Sequence, residues 1–133
     1  MQDILHAILW VALGSVIGGP TRYFISGLIG RVIGETFPWG TMVVNVTGAF
    51  AIGLAAAANV SGVLPMPVAW QFIVTGFLGS YTTVSSFTLQ TMALARDGQL
   101  LQAGGNAALS VALCLVSVAV GYGIGAIIFG ASL

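Results

Sequence analysis

Residues 76–88 of this 133-residue chain read GFLGSYTTVSSFT, and the fold depends on this stretch. It lies within an apolar segment that runs from about Val68 to Leu94. Glycines and hydroxyl side chains weaken a helix, because glycine is flexible and hydroxyl groups compete for backbone hydrogen bonds. The stretch therefore predicts a long helix that is interrupted near its middle. On the helical period, one face of this helix would carry Ser80, Val84, Phe87 and Thr91.

The composition places the chain in a membrane. Hydrophobic residues make up 58% of it, charged residues make up 5%, and the mean hydropathy is +1.07. A soluble domain has about a quarter charged residues, and a disordered chain is polar and charged, so both classes are excluded. The net charge of +0 provides no basic surface for nucleic acid. We therefore predict an all-α integral membrane protein.

Four apolar segments are each long enough to cross a membrane, which takes about 20 residues. The four segments cover residues 4–29, 39–58, 68–94 and 100–130, with approximate ends. Residues 1–133 are therefore predicted to form a single four-helix transmembrane domain. Four spans place both termini on the same side of the membrane. The positive-inside rule predicts only a weak preference for one orientation, because Arg31 and Arg96 are the only basic residues predicted in the connections. Insertion in both orientations is therefore compatible with the sequence.

Small residues recur at four-residue spacing along the predicted helices. The pairs are Gly14/Gly18, Gly30/Gly34, Ala49/Gly53 and Gly121/Gly125. In lipid, such faces allow close helix approach, either within one chain or at a subunit interface. Four short helices hardly enclose a pore alone, so we expect an oligomer.

Three polar side chains stand out within the spans. Arg22 is the only charged residue predicted in the apolar zone, where it faces water, an anion or a partner, or else extends to the headgroups. Asn45 lies mid-span, and its amide either bonds a neighbouring helix or donates to an anion. Ser110 shares one helix face with Asn106 and Cys114, and it either bonds back to its own helix or donates to an anion.

The sequence lacks the residues that other functions need. No Asp or Glu lies within a span, which argues against a proton-coupled exporter of organic cations. There is no nucleophile and base set, metal-ligand cluster or phosphate-binding loop, so we predict no enzyme. At this point the alternatives to an anion pathway are a small dual-topology multidrug exporter and a non-transporting membrane scaffold.

Three motifs follow one another along the chain: GSVIGGPTRY at 14–23, PWGTMVVNVTGAFAIG at 38–53 and GFLGSYTTVSSF at 76–87. Over nearly the whole length, the chain resembles the Fluc/CrcB family of fluoride channels. The third motif is similar to the glycine-rich stretch of that family followed by Thr-Thr-Phe-Ser-Thr-Phe.

The resemblance implies an antiparallel, dual-topology homodimer with two fluoride pores, placed as a multi-pass protein in a bacterial inner membrane and surrounded by lipid. It implies a structural Na⁺ at the dimer two-fold axis, bound by the backbone carbonyls of Gly79 and Thr82 from each subunit. The implied function is passive, electrogenic fluoride export that relieves fluoride toxicity. The implied pore residues are Asn45, Phe87, Ser110, Val84, Thr41 and Arg22.

Val84 departs from the family pattern, because it aligns with the first pore Phe of the family. Half of the aromatic pair is therefore missing, which either slows conduction or is compensated by another ring such as Tyr81. The remaining groups suit a small, strongly hydrated anion. The amide of Asn45 and the hydroxyl of Ser110 are hydrogen-bond donors, and the ring edge of Phe87 is positive.

Overall fold

The computed structural model describes residues 1–131, which contain four helical spans of membrane length. The predicted all-helical fold is confirmed, and so is the interruption of the third span (Trp70–Arg96). Residues 132 and 133, which the predicted domain includes, lie outside the described part. The elements in chain order are α1 (Gln2–Ile33), α2 (Trp39–Val60), a π-helical segment (Trp70–Leu78), α3 (Gly79–Tyr81), α4 (Val84–Arg96) and α5 (Leu100–Phe129).

The end of α1 differs from the prediction. The helix continues to Ile33 rather than ending near Ile29, so Arg31 lies in the last helical turn and not in a connection. A basic side chain is favourable there, beside the C-terminal carbonyls. Gly34 ends the helix with a φ of 106°, a conformation that glycine adopts without strain. Gly30 and Gly34 therefore mark a helix end and not a packing face.

Glycines bring two pairs of helical elements into backbone contact. α1 packs mainly against the π-helical segment, and α2 packs mainly against α5. A Cβ added at Gly14 or Gly18 would collide with backbone atoms of the π-helical segment. A Cβ added at Gly53 or Gly121 would collide with the backbone of the facing helix. These small residues therefore pack helices within the chain, which is one of the two roles expected for them.

A cluster of buried apolar side chains lies beside the interruption of the third span. Val44 of α2 packs with Leu78 and Tyr81, and all three are buried. Many large apolar side chains of α1 and α5 instead face outward. Such an outward apolar surface suits lipid, which solvates these side chains as well as a protein core does.

A methyl group at the contact between α1 and the π-helical segment should destabilise the protein. Gly14→Ala should lower the free energy of unfolding by about 1–3 kcal/mol, because the added Cβ meets backbone atoms that cannot move aside. Gly19→Ala is the matched control, since a Cβ at Gly19 has no neighbour within 4 Å. The thermal midpoints of both variants in detergent test this, and equal midpoints would contradict the packing role.

Candidate functional site

The third span is interrupted at Thr82 and Thr83, which have extended backbone between α3 and α4. Thr82 has φ −79° and ψ 159°, and Thr83 has φ −151° and ψ 123°. The Oγ1 atom of Thr83 caps α4 by accepting the N–H of Ser86 at 3.2 Å. Threonine is a favourable residue at this position, because its hydroxyl satisfies one of the free N–H groups of a helix start. The hydroxyl-rich sequence therefore ends one helix and begins another at membrane depth.

Asn45 of α2 holds the interruption with both ends of its side-chain amide. Its Nδ2 donates to the carbonyl of Thr83 at 2.9 Å, and its Oδ1 accepts the N–H of Thr83 at 2.7 Å. This is one of the two roles expected for Asn45, a bond between helices. An amide nitrogen carries two hydrogens, so one donor remains after the bond to Thr83.

The carbonyls of Gly79 and Thr82 lose their usual helical donors at this interruption. In an uninterrupted α-helix, these carbonyls accept the N–H groups of Thr83 and Ser86, four residues further on. Here Asn45 accepts the first N–H and the side chain of Thr83 accepts the second. Gly79 is exposed and Thr82 is half-buried in the single chain. The two carbonyls that the resemblance implies as cation ligands are thus the ones whose donors are diverted.

Tyr81 and Val84 lie on opposite sides of the interruption in very different surroundings. Tyr81 is 7% exposed, its ring stacks on Phe77 with centroids 5.8 Å apart, and its hydroxyl lies 2.9 Å from Thr47 Oγ1. Val84 is 77% exposed. Tyr81 therefore fills the interior of the chain, whereas Val84 leaves an open apolar surface at the start of α4.

Ser110 and Phe87 belong to one directed chain of hydrogen bonds between α5 and α4. The hydroxyl of Ser110 donates to Asn106 Oδ1 at 3.4 Å, and Asn106 Nδ2 donates to Thr91 Oγ1 at 2.8 Å. Thr91 donates in turn to the carbonyl of Phe87 at 2.7 Å. Ser110 and Asn106 are buried, and Phe87 is half-buried. The structure thus connects two of the predicted pore residues.

A cavity of about 590 Å³ lies near the junction of α1, α2 and α4. Thr41, which is buried, lines it together with Ser86 and Gln90 of α4. The Oε1 atom of Gln90 is buried and has no hydrogen-bond partner among the described residues. Hydroxyl and amide groups from two helices therefore converge on this space, beside Arg31 and Glu35.

Arg22 lies on α1 and is half-buried. The described residues that line the cavity include Arg31 but not Arg22. Among the described lining residues, Thr41 is the one predicted pore residue, so the cavity does not relate Arg22 to Asn45, Phe87 or Ser110.

Sequence reasoning missed three residues of this site. Asn106 carried a signal, because it shares a helix face with Ser110, but its bond to Thr91 depends on how α5 packs on α4. Thr83 was part of the hydroxyl-rich stretch without a role of its own. Gln90 gave no signal, since its side chain is notable only through the cavity that it lines.

The fold and the site define a class of protein. The described residues form four helical spans of membrane length, and the third span is interrupted beside polar side chains. This is the architecture of a multi-pass membrane protein with a polar interior site. Residues 9–122 match the family model described as CrcB-like protein, Camphor Resistance (CrcB). The chain belongs to this family.

Several curated relatives are similar over most of their length. A protein of Rhodopseudomonas palustris (strain BisB18), named fluoride-specific ion channel FluC 2, is 56% identical over 124 residues, which cover 92% of this chain and 95% of the relative. A protein of the same name from Bradyrhizobium diazoefficiens is 54% identical, covering 90% of this chain and 88% of the relative. The fluoride-specific ion channel FluC of Rhodospirillum rubrum is 46% identical, covering 90% and 94%.

Removal of the Asn106 amide should loosen the contact between α4 and α5. Asn106→Ala should lower the free energy of unfolding by about 1–3 kcal/mol, because the side chain is 1% exposed and its loss leaves Ser110 without its acceptor. Ser117→Ala is the matched control on the same helix, since it removes one bond to the carbonyl of Val46. Thermal unfolding in detergent compares the two, and an equal loss in both would contradict a special role for Asn106.

Proposed function

We propose that this chain forms a fluoride-specific ion channel. The observation that carries the proposal is the shared name of relatives that are 46–56% identical over about nine-tenths of the chain. The polar side chains that converge on the interruption and on the cavity support it. The expected activity is passive and electrogenic, because the proposed channel moves the fluoride ion alone, without a coupled substrate.

The proposed pathway replaces the water that a fluoride ion sheds. The second Nδ2 hydrogen of Asn45 and the hydroxyl of Ser110 are the donors, since an anion draws the hydroxyl proton away from the long bond to Asn106. The ring edge of Phe87 adds positive potential beside them. Thr41 supplies a hydroxyl at the cavity, and Arg22 attracts anions toward the protein.

The proposed assembly is an antiparallel homodimer with two pores. Val84, Ser85 and Thr88 of α4 are exposed in the single chain, at the depth of the interruption. Lipid offers no hydrogen bonds to such hydroxyl groups or to the exposed backbone at Gly79, so a protein surface must cover them. A second copy in the opposite orientation suits a chain with so little charge asymmetry.

The proposed structural ion is Na⁺ on the two-fold axis of this dimer. The carbonyl oxygens of Gly79 and Thr82 fit a hard cation, because oxygen atoms are its preferred ligands and these two have lost their helical donors. A bound cation would supply positive charge that offsets the partial negative charge of these carbonyls.

The proposed physiological role is relief of fluoride toxicity in a bacterial inner membrane. Hydrogen fluoride crosses a membrane as a neutral molecule and ionises in the less acidic interior. A membrane potential that is negative inside then drives the anion outward through an open pathway.

Fluoride efflux from liposomes tests the proposed activity. The wild-type protein should release fluoride and leave chloride inside, and Ser110→Ala should lower the fluoride rate about tenfold, the effect of losing one hydrogen bond to a charged ion. Ser117→Ala should keep the wild-type rate, because its hydroxyl bonds the carbonyl of Val46 instead. Fluoride and chloride electrodes in the same chamber measure both ions.

Equal fluoride and chloride rates would overturn the proposed selectivity. Unchanged fluoride rates in Asn45→Leu and Phe87→Leu, with the dimer intact by size-exclusion chromatography, would remove these residues from the pathway.

Tandem fusions of two copies of the chain test the antiparallel dimer. Because four spans place both termini on one side, a short linker forces two copies to be parallel, and a linker with an added transmembrane helix makes them antiparallel. Only the second tandem should carry fluoride efflux as a monomeric tandem. Efflux through the short-linker tandem, with no higher assembly on size exclusion, would contradict the proposed topology.

A further inference from the structure

We infer that the side chains of Asn45 and Thr83 select which carbonyls of the third span are free to bind a cation. They do so by accepting the N–H groups that would otherwise bond the carbonyls of Gly79 and Thr82. The two residues are positioning residues, because their own atoms bond the protein backbone. The inference rests on the proposed function and deepens its sodium site.

The diverted donors are the N–H groups of Thr83 and Ser86. An α-helix pairs each N–H with the carbonyl four residues earlier, so Thr83 would pair with Gly79 and Ser86 would pair with Thr82. The N–H of Thr83 instead bonds Asn45 Oδ1 at 2.7 Å, and the N–H of Ser86 bonds Thr83 Oγ1 at 3.2 Å. Each diverted donor thus corresponds to one of the two candidate ligands.

The second step is that the amide of Asn45 is held in one orientation. Its Nδ2 donates to the carbonyl of Thr83 at 2.9 Å, so Oδ1 must face the N–H of the same residue. If the amide were turned over, Nδ2 would face the N–H of Thr83 and Oδ1 would face its carbonyl. Donor would then meet donor, and acceptor would meet acceptor. Thr83 is 7% exposed, so water does not replace these bonds.

The third step is that the hydroxyl of Thr83 competes with a backbone carbonyl for one donor. When the hydroxyl is present, Ser86 bonds it and the carbonyl of Thr82 stays open. When it is absent, the N–H of Ser86 loses this acceptor, and we expect it to bond the carbonyl of Thr82, its partner in a continuous α-helix, so that α4 lengthens toward α3. The cation would then lose one carbonyl from each subunit although no ligand residue has been changed.

Sodium titration of purified wild type and three variants tests this inference. Thr83→Val keeps the β-branched shape and removes the acceptor, Thr83→Ser keeps the acceptor, and Ser85→Ala removes a neighbouring hydroxyl that contacts Thr83 Oγ1 and no backbone N–H. The readout is the thermal midpoint of the dimer as Na⁺ replaces N-methyl-glucamine at constant ionic strength. Half of the sodium-dependent rise should need about a hundredfold more Na⁺ in Thr83→Val than in the wild type, because the carbonyl of Thr82 is lost from each of the two subunits, at about tenfold for each carbonyl. Thr83→Ser and Ser85→Ala should need the same Na⁺ concentration as the wild type.

Three results would overturn the inference, and they are distinguishable. A wild-type protein without any sodium dependence removes the sodium site itself, which is a failure of the proposed function. A normal sodium response in Thr83→Val leaves the site standing and removes the role of the hydroxyl. A weakened response that Thr83→Ser does not restore assigns the effect to side-chain shape and not to hydrogen bonding.

A second residue keeps the test decisive when Thr83→Val does not fold. Asn45→Leu removes the acceptor for the N–H of Thr83 and acts on the other carbonyl, that of Gly79. It should weaken the sodium dependence of the thermal midpoint in the same direction. A sodium titration identical to that of the wild type would overturn the inference for Asn45.

Discussion

Backbone groups that lose their helical partners inside a membrane find no water to bond, and this constraint governs the third span. In this chain, side chains supply hydrogen bonds to backbone groups at the interruption. Asn45 pairs with both backbone groups of Thr83, and the hydroxyl of Thr83 begins α4. α2 must therefore lie beside the interruption. The carbonyls of Gly79 and Thr82 remain without their helical donors after these bonds are made.

Much of this arrangement could be predicted from the residues themselves. The small number of charged residues predicted a membrane protein. The glycine and hydroxyl residues at 76–88 predicted an interruption of the third helix. A polar bond for Asn45 was expected because an amide in a span must find a partner. The pore roles of Asn45, Phe87 and Ser110 stay predictions that the proposed efflux experiments test.

Other features depend on tertiary packing and left no pattern along the chain. Of the face predicted to carry Ser80, Val84, Phe87 and Thr91, only the last three residues share one helix, α4, because extended residues at 82 and 83 separate Ser80 from them. Ser80 donates to the carbonyl of Gly76 on the side that packs against α1, while Val84 is exposed. The bond of Asn106 to Thr91 exists only because α5 crosses α4 at that level. The end of α1 beyond Ile29 was missed because the polar stretch with Arg31, Glu35, Thr36 and Pro38 was interpreted as a connection, whereas its first residues are helical.

The π-helical segment at Trp70–Leu78 affects how the third span tolerates a change in length. Each N–H in such a segment pairs with a carbonyl five residues away, so a π turn holds about one residue more than an α turn. Reversion of a π turn to an α turn would absorb the loss of one residue here, and the interruption would keep its register with Asn45. α4 would then keep its place although the third span is one residue shorter.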